Sequence, residues 1–238
     1  MRPDEPIEVI GLDADDTLWH SEPYFERVMR RYLDLVGRYV PPEVDVRAAL
    51  VEVDLRNVER YGYGFKAFIL SLIEAAIEVT GGAIGTEEVA DLLHAGREML
   101  DHPVHLLDGV GDVVRELAAG GYRLLVVTKG DLVHQQHKLV ASGLLPWFER
   151  VEIVAEKDAA TYRRVLEALR VAPERFLMVG NSVKSDVLPV LEIGGRAVHV
   201  PYHLTWEGER AEHDGSVPEL GSLSELPAWL GAGPTGTR

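Results

Sequence analysis

Three carboxylates stand within four positions of one another near the start of this chain. Asp13, Asp15 and Asp16 follow the apolar run 7–12 directly, in the hexapeptide Asp13-Ala14-Asp15-Asp16-Thr17-Leu18. Residues two apart in an extended chain face the same way. Asp13 and Asp15 are therefore expected to project together from the end of a strand. Two like charges so close need a counter-charge, usually a cation, or one of them must hold a proton. The C-terminal edge of an open α/β sheet is also where ligands bind. Read from the hexapeptide alone, the alternative is an acidic surface loop.

Positioning such a pair takes a strand, and the chain supplies more of the same kind. Tyr122 to Thr128, Val151 to Ala155, Arg175 to Gly180 and Arg196 to Val200 read as buried strands. Helices are predicted between them over 132–142, 159–170 and 186–193, with stops at Gly143, Pro173 and Gly194-Gly195. Apolar strands alternating with helices imply a parallel sheet covered on both faces.

The stretch from Ser21 to Leu100 has a different character, with helices and no convincing strand. Ser21-Glu22-Pro23 predicts a helix start with a hydroxyl cap and a proline in the first turn. Phe65, Phe68, Ile69, Leu72, Ile73, Ala76 and Ile77 repeat at strict helical spacing. The expected fold class is α/β: a doubly wound parallel sheet built from residues 1–20 and 104–230. An all-helical insert is expected over 21–103, and a disordered tail over 231–238.

Composition bounds the function. The chain has 238 residues, is 46% hydrophobic and 26% charged, and carries a net charge of −15. That size suits one large domain or a domain with an insert. The charge argues against nucleic acid or an anionic membrane as partner. No apolar run approaches the roughly 20 residues of a membrane helix. Residues 1–10 contain Asp4, Glu5 and Glu8 and no apolar stretch, so no secretory leader is expected. The absence of cysteine removes disulfides, thiolate metal sites and cysteine nucleophiles together, and fits a cytoplasmic protein. His134 and His137 share a helix face but have no third ligand nearby in sequence, so a polar face is expected rather than zinc.

DADDTL resembles the first motif of the haloacid dehalogenase-like superfamily, D-x-D-x-T/V-L/V. Three further motifs of that family follow in order. LLVVT ends at Thr128 and is followed by Lys129-Gly130. Lys157 stands before a helix in AEKDAATYRRVLEAL. Gly180 to Asp186, in MVGNSVKSD, matches a strand ending G-D-S-x-x-x-D. All four fall at strand ends or in the loops after them. The resemblance covers roughly residues 5–20 and 104–230, and implies a Rossmann-like core with a helical cap inserted after the first motif.

The resemblance implies a Mg²⁺-dependent phosphohydrolase that acts on a small phosphorylated metabolite through an aspartyl-phosphate. Asp13 is the expected nucleophile. Asp15 is the expected general acid and then base, with its backbone carbonyl also on the metal. Thr128, Lys129 and Gly130 are expected at the phosphoryl oxygens, and Lys157 as a fixed positive charge for them and the nucleophile. Asp13, Asp15, Asn181 and Asp186 are the expected metal site. Asn181 departs from the family, which usually has Asp there; one formal charge is lost, and weaker metal binding is expected. Asp15 argues for phosphoryl transfer over 2-haloacid dehalogenation. A phosphomutase, or a catalytically weak binding protein, shares much of this pattern. Trp19 and His20 are candidates for leaving-group contact, and Arg60, Tyr61, Tyr63 and Lys66 for substrate selection. Monomer and homodimer are both compatible with the sequence.

Overall fold

The computed structural model describes residues 6–211 and 215–232, which form two compact units. The first contains the chain up to His20, Val104–Thr128 and the residues from Gln136 onward. The second contains Ser21–Pro103 and Lys129–Gln135.

The first unit is built on five strands: β1 (Val9–Leu12), β2 (Arg123–Lys129), β3 (Arg150–Val154), β4 (Phe176–Gly180) and β5 (Arg196–His199). Their order in the sheet is β3-β2-β1-β4-β5. The β1–β2, β1–β4 and β4–β5 pairs are parallel, with Leu12 level with Val126 on one side and Val179 on the other. The period of two along each strand divides the core. Ile10, Leu12, Val126, Leu177 and Val179 pack on one face with Val110, Val113, Val114 and Leu117 of α5 (Val110–Ala119). Val9, Leu125, Val127, Phe176 and Met178 pack on the other with Tyr162, Val165 and Leu166 of α7 (Ala159–Leu169). Gly11 lies where that second face packs closely against β4. A Cβ there would lie 2.7 Å from the Phe176 ring and 2.9 Å from the Met178 sulfur.

Residues 186–193, predicted as one helix, divide into two elements. A π-helical turn spans Val183–Val187, and α8 starts only at Leu188 and runs to Glu192. Pro189 explains the break. It has no N–H for the carbonyl of Ser185, four residues back, and that carbonyl accepts from the Tyr162 hydroxyl at 3.0 Å. At the C-terminus, α9 (Leu226–Ala232) carries helix into the expected tail, and 233–238 lie outside the described residues.

The second unit contains α1 (Glu22–Val36), α2 (Val46–Tyr61), α3 (Phe65–Val79) and α4 (Thr86–Leu100). Tyr32, Leu50, Leu72 and Leu92, one from each helix, meet in a single apolar core. Asp45 caps α2 by accepting from the Ala48 N–H at 2.9 Å. Ser21 precedes α1 as expected, but its hydroxyl makes no cap hydrogen bond; Glu22 and Pro23 mark that first turn. Residues 129–135 contain the first turn of α6 (Leu132–Ala141) and pack within this helical unit. No helix among the described residues is long and apolar enough to cross a membrane.

Candidate active site

The parallel register carries the ends of β1, β2 and β4 to one edge of the sheet. Asp13 continues the β1–β4 ladder by donating its N–H to Val179 O at 2.9 Å. The chain then turns over a single carbonyl. Ala14 O accepts from the N–H groups of Thr17, Leu18 and Trp19 at 3.3, 2.8 and 3.3 Å. Asp16 enables this turn by adopting a left-handed φ of 60°, which a short polar side chain tolerates better than most. Leu18 and Trp19 are buried and anchor the loop.

Within this turn the Asp13 carboxylate is buried. Lys157 Nζ pairs with its Oδ1, and Thr17 Oγ1 donates to its Oδ2 at 3.4 Å. Lys157 also reaches Asp186 Oδ1 at 2.7 Å. Asp186 Oδ2 accepts from the Ser182 N–H at 3.0 Å, so both of its oxygens are engaged. This packing needs a glycine at 180, because a Cβ there would fall 2.2 Å from Asp186 Oδ2. Thr17 Oγ1 also lies 3.4 Å from Asn181 Oδ1, which ties the first motif to the fourth. Thr128 is buried at the end of β2, on the same sheet edge.

Burial governs the electrostatics. It pushes the Asp13 carboxyl up to about 7, against the pull of Lys157 and with further lift from the charges of Asp186 and Asp15. Burial works the other way on Lys157, yet the carboxylates of Asp13 and Asp186 outweigh it and hold the ammonium above the ordinary lysine range. Two buried carboxylates thus face one buried ammonium, and the excess negative charge is costly without a further cation.

The metal question follows from that imbalance. Among the described residues, no three His, Cys, Asp or Glu side chains converge as a ready-made ligand set. The group available is instead Asp13, Asp186 and the amide oxygen of Asn181, linked through Lys157 and Thr17. These are hard oxygen donors around uncompensated negative charge, a chemistry that fits a small divalent cation such as Mg²⁺.

Asp15 acts on Asp13 through its charge and has partners of its own. Its Oδ1 accepts from the Trp19 indole N–H at 2.6 Å and pairs with Lys138 Nζ. The expected like-charge pair is therefore served by two different lysines. Trp19 is 1% exposed, and its indole N–H supports Asp15. His20 Nδ1 lies 2.6 Å from the Tyr202 hydroxyl. Lys129 and Gly130 pack with the helical unit, where the Lys129 ammonium lies 3.9 Å from the centre of the Tyr63 ring. Nearby in that unit, Lys66 pairs with Asp131 at 3.0 Å and His134 packs against Phe65. Lys184, inside the fourth motif, is exposed and donates to Gly208 O at 2.8 Å rather than pairing with Asp186.

Sequence reasoning missed Lys138 and Glu209. Glu209 accepts from the hydroxyls of Ser182 and, at 2.6 Å, Ser185, which braces the turn that carries Asp186. Lys138 left no signal in the apolar pattern: the buried residues of α6 are Gln135, Lys138 and Leu139, whereas its apolar Leu132, Val133 and Val140 are exposed.

The sequence profile of the haloacid dehalogenase-like hydrolases matches residues 7–194. The chain belongs to that family. This haloacid dehalogenase-like hydrolase is 26% identical to a glyceraldehyde 3-phosphate phosphatase of Pyrococcus furiosus over 232 residues, 94% of this chain and 92% of that one. It is 32% identical to a phosphoserine phosphatase of Thermus thermophilus over 151 residues, 61% of this chain and 59% of that enzyme. In structure it resembles a haloacid dehalogenase-like family hydrolase from Xanthomonas campestris, with a TM-score of 0.84 and 38% identity over 97% of this chain and 93% of that one.

Proposed function

We propose that this hydrolase is a Mg²⁺-dependent phosphatase that cleaves small phosphomonoesters through an aspartyl-phosphate on Asp13. One observation carries the reading: a buried carboxylate at a strand end, held by a buried lysine that it shares with Asp186. Phosphatases among the relatives support the same class of reaction.

In the first step an Asp13 oxygen attacks phosphorus and the ester P–O bond breaks. Asp15 gives a proton to the departing alkoxide. Lys157 offsets the charge of Asp13 and of the phosphoryl oxygens, and the Thr128 hydroxyl donates to one of those oxygens. In the second step Asp15 takes a proton from water as the water oxygen attacks phosphorus. The Asp13–phosphorus bond then breaks and inorganic phosphate leaves. Asp13, the Asp15 backbone carbonyl, Asn181 and Asp186 are the groups that would hold Mg²⁺, which supplies charge neutralisation between two approaching anions. Lys129 and Gly130 are proposed to assist at the phosphoryl group. The helical unit is proposed to select the substrate, and the cytoplasm is the proposed setting. Glyceraldehyde 3-phosphate and phosphoserine, named for the relatives, head the substrate panel.

The test is hydrolysis of p-nitrophenyl phosphate with Mg²⁺ and with EDTA, beside Asp13→Asn. Turnover is expected to need the metal and to fall at least about a thousandfold in the variant. Activity that survives both treatments would sink the proposal.

A further inference from the structure

The pairing of Lys138 with Asp15 has no counterpart among the four motifs. Lys138 lies on α6, and its side chain is only 9% exposed. Burying an ammonium is costly unless a partner compensates it, and an apolar residue would fill the same place without that cost. The partner is Asp15 Oδ1, the same oxygen that the buried Trp19 indole holds at 2.6 Å. Lys138 Nζ also lies 5.9 Å from the centre of the Trp19 ring, at the outer limit of a cation–π contact. Trp19 is itself fixed: its N–H reaches Ala14 O at 3.3 Å and its carbonyl accepts from the Asp16 N–H at 2.7 Å.

A carboxylate two bonds from the backbone has several rotamers open to it. Two donors that converge on one oxygen from two buried side chains select one of them. We propose that Lys138, with Trp19, is a positioning residue that holds Asp15 Oδ1 in place, so that the proton given to the leaving group is carried on Asp15 Oδ2 at a fixed position. The proposal rests on the phosphatase reading, in which Asp15 protonates the leaving group. Proton transfer is sensitive to placement, because general acid catalysis worth about 10²–10⁴-fold depends on hydrogen-bond reach to the reacting atom.

Leaving groups provide the test. An alkyl phosphoester such as phosphoserine needs its alkoxide protonated as it departs, whereas p-nitrophenolate leaves readily without a proton. The value of kcat/KM reports the steps through formation of the aspartyl-phosphate. Lys138→Met is expected to lower kcat/KM for phosphoserine, or the best alkyl ester of the panel, by about 10–100-fold. For p-nitrophenyl phosphate the expected change is under about threefold. Lys138→Arg should recover most of the loss, because it restores a cation within reach of Asp15. Trp19→Phe, which keeps an aromatic ring and removes the indole N–H, should shift the same ratio in the same direction by less.

An equal loss on both esters, with a lowered melting temperature, would assign Lys138 a purely structural role and overturn the proposal. No change on either ester would overturn it as well. A wild-type protein that hydrolyses neither ester with Mg²⁺ present would instead remove the phosphatase reading and this inference with it.

Discussion

The strand-end cluster and the Asn57–Glu74–Arg56 network of the helical unit hold polar side chains in opposite ways. At the β1–β4 edge, Asp13, Lys157 and Asp186 are buried as charges, two negative against one positive. In the helical unit, the polar seam between α2 and α3 is graded. Asn57 and Ser71 are fully buried and neutral, Asn57 Nδ2 donates to Glu74 at 2.7 Å, and Arg56 meets Glu74 and Glu78 at 2.9 and 2.7 Å toward solvent. The seam satisfies its charges where water can help. The strand-end cluster holds an imbalance where water cannot, and an imbalance of that kind is useful for chemistry rather than for folding.

The sharpest way to break this comparison is to remove the shared cation. Lys157→Met leaves two buried carboxylates facing each other. The expected loss is about 3–5 kcal/mol of stability, the range for breaking a buried pair, together with loss of turnover. Urea denaturation measures it. Added Mg²⁺ should recover part of the loss as a second source of positive charge. An unchanged urea midpoint would mean that the carboxylates are not both ionised in the folded protein.

Removing the negative side should do the reverse. In the folded state the Asp13 carboxyl titrates near 7, above its ordinary 3.8. As pH rises from about 4 to 7, the unfolded chain therefore releases this proton before the folded chain does, and folding loses stability over that interval. The cost is fully present above pH 7 and absent below about pH 4. Asp13→Asn is expected to stabilise the metal-free protein at pH 8 by on the order of 1–3 kcal/mol, and by less at pH 5. The gain is trimmed because Lys157 loses one of its two partners. Unfolding in EDTA at the two pH values checks the sign; destabilisation at pH 8 would mean that the ion pair outweighs burial.

These features differ in how far the sequence foretells them. The five-stranded parallel sheet was legible because each strand is a short apolar run ending in a turn signal, and Asp13, Thr128, Asn181 and Asp186 stand directly at or after those ends. Lys157 was legible from its motif, although its link to Asp186 as well as Asp13 is a product of packing. The Lys138–Asp15 pair was not legible, since it joins residues 123 positions apart through a side chain with no motif around it. The Ser21 hydroxyl misled because a good capping residue at a helix start need not make the bond. The π-helical turn before α8 hid because Pro189 reads as an ordinary first-turn proline. Its effect on Ser185 becomes visible only once Tyr162 reaches that carbonyl.

The helical seam gives the smaller effects that complete the contrast. Asn57→Ala removes the amide that donates to Glu74 and Ser71, but it also removes Asn57 Oδ1, which is buried with no hydrogen bond among the described residues. The two consequences oppose each other, so the expected cost is about 1 kcal/mol, with kcat/KM unchanged. The Asn57 amide, and after it Arg56, hold the Glu74 carboxyl below its ordinary value. Stability from that contact is present above the unfolded value and lost as pH falls through the folded one, so the penalty should be smaller at pH 3 than at pH 7. Glu78→Gln should cost least, about 0.5 kcal/mol or under. Its carboxylate is half exposed, and Arg56 keeps Glu74 when Glu78 is gone. About 0.5 M salt should erase the Glu78→Gln difference by screening while leaving the Lys157→Met loss nearly intact. A salt-resistant Glu78 effect would place that pair with the buried charges and remove the distinction between the two clusters.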